Sequence, residues 1–332
     1  MSLIKRKIDV EIKLNGDTFN GHDNTIRLTG LRCSVTVQSF IGAIGNWASS
    51  ANIRISGMKN ADMAQLSTLG FSAANYNDVG SDDAGSGPFT LNQINIYAGD
   101  DESGMSLIFG GAIVQGEVDY NAMPDVGVDL VCNALTSLQM DPIAASSYRG
   151  AADVASMLEG ICRTAKHPMT FINNGVDTKL NNHAVGGSGK NQIEDICLAA
   201  GCLFTITGPA DKKTLTIFPK GGNTDNTIIA MGPSTGLVGY PIYSMRGVNI
   251  TSIFTPTIQV GRRIKLTSST PAPAKNAPRQ EPGFAAGKGP LQISGANGTF
   301  PIIAVTHNLA SETPNGPWFT QAELTSLAYN AH

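Results

Sequence analysis

The first chemistry this sequence suggests is phosphate binding, because His183–Gln192 reads HAVGGSGKNQ. A nucleotide-phosphate loop needs Gly five residues before its Gly-Lys pair, and a Ser or Thr after the Lys to hold Mg²⁺. Those two positions hold Ala184 and Asn191, so both requirements fail. The expected role of the stretch is a turn that caps the helix after it. The histidines His22, His167, His183, His307 and His332 lie far apart, and the chain has neither an H-E-x-x-H helix nor a G-x-S-x-G elbow. His307 flanks an apolar run and is expected to be half-buried with a backbone partner.

Acid–base chemistry needs one carboxyl desolvated, yet Asp82/Asp83 and Asp100/Asp101 sit in turns among small polar residues. The loop Asn77–Pro88 lacks the alternating ligands and closing Glu of a calcium loop, and reads as a solvated loop. Cys33, Cys132, Cys162, Cys197 and Cys202 are odd in number and form no CxxC pair, which points to reduced core thiols made in a cytoplasm. No catalytic, metal or cofactor residue is assigned, and no cofactor is expected.

The 332 residues are enough for two or three cores. Charged residues make up 15%, with 37 Gly and 17 Pro, a balance that suits many short strands and turns. The formal net charge of −3 offers no concentrated basic face for nucleic acid. The N-terminus has basic residues but no apolar core of a secretory signal, and no apolar run approaches the ~20 residues of a membrane helix.

The elements that would position any site fall into three segments. In residues 1–138, Ile8, Val10, Ile12 and Leu14 alternate with polar residues, which predicts a strand with one buried face. Further strands are predicted over Thr25–Leu28, Cys33–Phe40, Ala51–Ser56, Asn92–Ala98, Ser106–Asp119 and Gly127–Asn133, with a helix over Asn60–Leu69. Six or seven antiparallel strands favour closure into a β-barrel, which removes exposed edges. Residues 139–230 change period: helical stripes follow Val154 and Asn191, and a strand pair is expected at Met169–Asn173 and Lys179–Asn182. Cys202–Thr207 and Thr214–Pro219 make a hairpin, completing a small α+β unit.

Residues 231–332 return to strands, predicted at Thr257–Val260, Arg263–Thr267 and Phe300–His307, and read as a second β-rich domain. The Pro-rich excursion 268–298 cannot supply a regular ladder and is expected to be held by a partner or disordered. A turn at Pro314–Pro317 leads to Trp318 and Phe319, which either close the barrel core or dock on a neighbouring subunit. Trp47 reads as core or rim. Arg263 and Lys265 share one strand face, with Arg262 on the other.

Three stretches then carry a resemblance: IRISGMKNADMAQLSTLG (Ile53–Gly70), INIYAGDDESGMSLIFGGAIVQGEVDY (Ile94–Tyr120), and FTPTIQVGRRIKLTSSTP with IIAVTHNLASETPNGPWFT in the last segment. They resemble baseplate hub proteins of contractile-tailed bacteriophages, the group containing the T4 hub and the Mu-type tail hub. The resemblance implies two tail-tube-like antiparallel β-barrels, 1–138 and 231–332, flanking an α+β domain, 139–230. It also implies a structural, non-enzymatic role as a homotrimer joining a six-fold tail tube, or its initiator ring, to a three-fold central spike. Baseplate wedge or tape-measure components are further implied partners, with DNA passing through an axial channel without specific binding and without membrane insertion. The alternatives are a tube-initiator or distal-tail ring protein and a tail-associated cell-wall hydrolase, for whose domain no segment is left over.

Overall fold

Ile8, Val10, Ile12 and Leu14 are each no more than 2% exposed, so the first alternating run buries one face as its pattern dictates. The computed structural model describes residues 5–15, 18–19, 23–41, 49–67, 91–140, 143–244, 247–267 and 297–325. The Asn77–Pro88 loop, Trp47, His22, His332 and the excursion up to residue 296 lie outside the described residues.

The first segment contributes β1 (Arg6–Lys13), β2 (Thr25–Leu28), β3 (Arg32–Phe40), β4 (Ser50–Ser56), β5 (Gln93–Asp100), β6 (Gly104–Asp119) and β7 (Gly127–Asn133). Helix α1 (Asn60–Ser67) lies between β4 and β5 and buries Met63 and Leu66. The middle of the chain holds α2 (Thr136–Met140), β8 (Ser146–Asp153), α3 (Val154–Thr164), β9 (Thr170–Asn173), β10 (Lys179–Val185), α4 (Gly189–Ala200), β11 (Cys202–Thr207) and β12 (Thr214–Pro219). Strands β13 (Ile228–Met231), β14 (Leu237–Ser244), β15 (Gly247–Ile253), β16 (Arg263–Leu266), β17 (Gly298–Ser311) and β18 (Trp318–Thr325) follow.

These strands do not make two barrels. Strands from both ends of the chain enter one 13-stranded sheet, in the order β14-β15-β18-β17-β3-β4-β7-β6-β5-β1-β2, with β16 attached to β17 and β13 to β16. The sheet is open: among the described residues no strand joins β2 to β14. The reason lies at β3, the strand that would have to close the first barrel. Its free edge is taken by β17, antiparallel from Phe40↔Ala304 to Ser311↔Cys33. An exposed edge needs a partner, and here a strand some 270 residues away along the chain supplies it. Alternation says which face of a strand is buried, but not which strand lies beside it.

Other expectations also need correction. Thr257–Val260 is turn rather than strand, because Ile258 N–H donates to Thr255 C=O and Arg262 N–H to Gln259 C=O. β9 and β10 do not pair with each other: β9 runs parallel to β12, and β10 pairs antiparallel with β8. β8 was not foreseen, because SSYRGAAD lacks β-branched residues and its burial shows no clean alternation.

Three apolar clusters form. One gathers β1, β3–β7 and α1 but is completed by Leu309 and Trp318 from the far end of the chain. A second lies among β13–β18, and a third between α3, α4 and the β9/β11/β12 sheet.

Candidate functional site

The residues that looked chemical do structural work. In the glycine-rich stretch, Ser188 Oγ accepts from Asn191 N–H at 3.3 Å and caps α4, whose other end stops at left-handed Gly201. Lys190, 6% exposed, pairs with Glu194 one turn on at 3.4 Å. Gln192 is fully buried and its Nε2 donates to Ile143 C=O at 3.1 Å and Gly187 C=O at 3.2 Å. All five cysteines are free and buried. Burial pushes the Cys33 and Cys162 thiols up to about 12, away from thiolate reactivity. Among the described residues no group of His, Cys, Asp or Glu could hold a metal ion, and no helix is long and apolar enough to cross a membrane.

His307 is more buried than its sequence setting suggests. It is 6% exposed, with Nδ1 2.9 Å from Thr320 Oγ1 and the Phe254 ring edge-on at 5.5 Å. Its partner is a side chain, not backbone, and desolvation lowers its pKa to about 4. Trp318 is 4% exposed, packed edge-on against Phe254 at 5.3 Å with the Arg6 guanidinium over its ring, whereas Phe319 beside it is 39% exposed. Trp318 therefore fills the core, and Phe319 faces outward. Arg263 and Lys265 do share a face, but Arg263 Nη2 donates to Gly221 C=O at 2.6 Å, and Arg262 is held by Asp225 at 2.8 Å.

The face of the large sheet opposite its buried rows is the candidate surface. Ladder registers carry it without a break across seven strands. One row runs Ile253, Phe319, Asn308, Thr36, Asn52, Val131 and Gln115 from β15 to β6. Flanking rows add Thr251, Gln321, Thr306, Gln38 and Ser50 on one side, and Ser34, Arg54, Asp129 and Glu117 on the other. The face is mostly uncharged polar side chains. Its charges are Arg32 and Arg54 against Glu117, Asp119, Asp129 and Glu323, and Arg54 is already held between Asp129 at 2.6 Å and Asp119 at 3.0 Å. The Ser34-Thr36-Gln38 and Thr306-Asn308 alternations were legible in the sequence; their junction was not.

This face is built from one four-strand pattern used twice, β6-β7-β4-β3 and β17-β18-β15-β14. The correspondence extends to a register shift: β6 slips against β7 between Ile113 and Gln115, and β17 against β18 between Ile302 and Ala304. Each pattern begins with a long strand and ends with a hairpin strand. No repeat is visible in the residues, because matched positions share burial rather than side-chain type.

The middle elements dock on the back of this sheet through the turn Gly208–Lys213. Ala210 N–H donates to Asn95 Oδ1 at 2.8 Å, and Lys213 Nζ donates to Gly110 C=O. A Cβ on Gly110 would stand 2.6 Å from Gly208 O, so this approach requires glycine. Desolvation pulls the Lys213 ammonium down to about 8. Beside it lies a cavity of about 330 Å³ lined by Phe109, Ile206, Ile258, Val305 and His307 among others, and His167 and Lys213 line smaller ones. Nothing in the sequence marked Lys213, since its partners are backbone carbonyls.

The fold is thus a twice-used antiparallel unit within one open sheet, with an α+β unit behind it. The family model described as "Baseplate hub gp41" matches residues 18–276, more than three quarters of the chain. The chain belongs to this family of baseplate hub proteins, and is a structural component of a virion's tail baseplate. No match was found among curated proteins. Among solved structures it is similar to the tail protein from Neisseria meningitidis MC58 (10% identity, TM-score 0.54, 96% of each chain covered). The 43 kDa tail protein of prophage MuSo2 from Shewanella oneidensis is comparable, at 7% identity and TM-score 0.53, with 96% of this chain and 97% of that one covered. So is the E. coli c3393 protein, described as a type VI secretion component structurally similar to T4 tail proteins gp27 and gp5, at 8% identity and TM-score 0.53. That match covers 89% of this chain and 73% of the other. At these identities the likeness concerns the fold.

Proposed function

We propose that the protein is a trimeric adaptor between a six-fold tail tube and a three-fold central spike, with an axial channel for DNA. The observation that carries this reading is the twice-used four-strand unit. Three copies supply six such units around an axis, while the chain itself repeats three times. On this reading 1–138 and 231–332 are the two sheet-bearing units and 139–230 is the unit between them. The continuous polar face, poor in Lys and Arg, lines the channel, so that phosphates pass without being neutralised and held. Baseplate wedge or tape-measure proteins contact the outer side, and assembly takes place in the host cytoplasm. Closed cyclic symmetry is the physical requirement, since head-to-tail contacts that fail to close grow into filaments. Native mass measurement of the purified hub–spike complex tests the reading: three hub copies are expected, and six would refute it.

A further inference from the structure

Lys213 Nζ has three hydrogens to donate and two acceptors for them, Gly110 C=O and, at 3.4 Å, Gly208 C=O. Among the described residues no carboxylate stands within ion-pair distance of it, and Asp211 acts on it only from further away. A desolvated cation is normally paired, so an ammonium with a spare hydrogen and no counter-ion marks a place for an anion. Lys213 stands in the walls of two cavities behind the sheet, of about 330 and 220 Å³. We infer that the larger one is a binding site for a small carboxylic acid with an apolar body, its carboxylate accepting from Lys213 Nζ. The inference does not depend on the trimeric reading above.

His307, in the wall of the same cavity, has a second hydrogen to offer. Thr320 Oγ1 accepts from Thr255 N–H at 3.3 Å, and His307 Nδ1, 2.9 Å away, is the acceptor left for its hydroxyl hydrogen among the described residues. Desolvation keeps the ring neutral at pH 7, and a neutral ring that accepts at Nδ1 carries its hydrogen on Nε2. No described residue takes that hydrogen.

The rest of the wall selects the body of the ligand. Phe109, Ile206, Ile258 and Val305 line it, an apolar surround for an aromatic or branched aliphatic group. An apolar cavity of about 150 Å³ holds benzene, so about 330 Å³ accommodates a benzoate-sized acid. One cation and one neutral donor match a single carboxylate better than a phosphate, whose second charge and extra oxygens would go unpaired. The walls come from β6 and β17 of the large sheet and from β11 and Lys213 of the α+β unit. A bound acid would therefore bridge the two and favour their docked state by mass action.

Isothermal titration calorimetry of the purified full chain with sodium benzoate, and with benzamide as its neutral isostere, tests the site. Benzoate should bind saturably and about ten-fold or more tighter than benzamide, the factor that a hydrogen bond to a charged group provides. Lys213→Met should bring benzoate down to the level of benzamide. No saturable benzoate binding by the parent, equal affinities for the two compounds, or unchanged benzoate affinity in a variant that melts cooperatively would each overturn the site. Should Lys213→Met not fold, a diazirine-bearing benzoate photolysed on the parent gives a second readout. Adducts mapped to residues 107–110, 205–208 or 305–307 and suppressed by excess benzoate support the site, and adducts elsewhere, or none, overturn it.

Discussion

Thr36 Oγ1 lies 3.1 Å from Asn308 Oδ1 across the junction of β3 and β17, joining residues 272 positions apart. The hydroxyl is the donor, and the two side chains stand at directly opposed ladder positions. Removing the hydroxyl alone with Thr36→Val should cost only about 1 kcal/mol, because the main-chain ladder persists. Removing the whole partner is different. A fragment ending at residue 138 would lose Leu309 and Trp318 from its core and leave β3 as an open edge. Urea unfolding should show one cooperative transition for Thr36→Val and none for the fragment. A fragment with a steep native-like transition would show that the first unit is self-sufficient.

Trp318→Ala should destabilise the chain by about 3–5 kcal/mol, the usual cost of emptying a large aromatic site. The ring is 4% exposed and contacts Phe254, so little of that space can refill with water-facing groups. Denaturant titration measures the loss. A loss below about 1 kcal/mol, with failed assembly, would mean that the ring serves a subunit contact instead.

Lys213 gives the fold a pH signature at the alkaline end. Desolvation lowers its folded pKa from 10.5 to about 8, so the folded chain disfavours the charged form. Below about pH 8 both states hold the proton and the folded state carries the cost of the buried charge. Between 8 and 10.5 the unfolded chain holds more of that proton, and stability rises with pH by at most about 3 kcal/mol. Comparison with Lys213→Met from pH 7.5 to 10 isolates this group. The parent should gain stability relative to the variant, and parallel curves would show that the ammonium is not desolvated.

Duplex DNA should bind the assembled hub weakly at physiological salt. The formal net charge is −3, and the strongest basic cluster is partly spent, with Arg262 on Asp225 and Arg263 on Gly221 C=O. Titration by fluorescence anisotropy checks this. Micromolar or tighter binding that weakens steeply with salt, and is lost when Arg263 and Lys265 are neutralised, would contradict it.

Sequence by itself determined where many of the strands and helices lie, most of them in residues 1–138, and which face the strongly alternating ones bury. Thr25–Leu28, Cys202–Thr207 and Thr214–Pro219 were readable to the residue, and Ser188 and Gly201 bracket α4 as their types require. These are local matters: periodicity, capping and turn chemistry act over a few residues. The same residues also excluded the phosphate loop, because Ala184 and Asn191 lack the needed chemistry whatever surrounds them. Only the tertiary structure decided that β3 meets β17 instead of closing a barrel, that Lys213 reaches Gly110, and that Leu309 and Trp318 complete a core begun at Ile8. Each of these depends on which backbone edges and carbonyls come together over long chain separations. Edges and carbonyls are common to every residue, so side-chain identity carries no record of their partners.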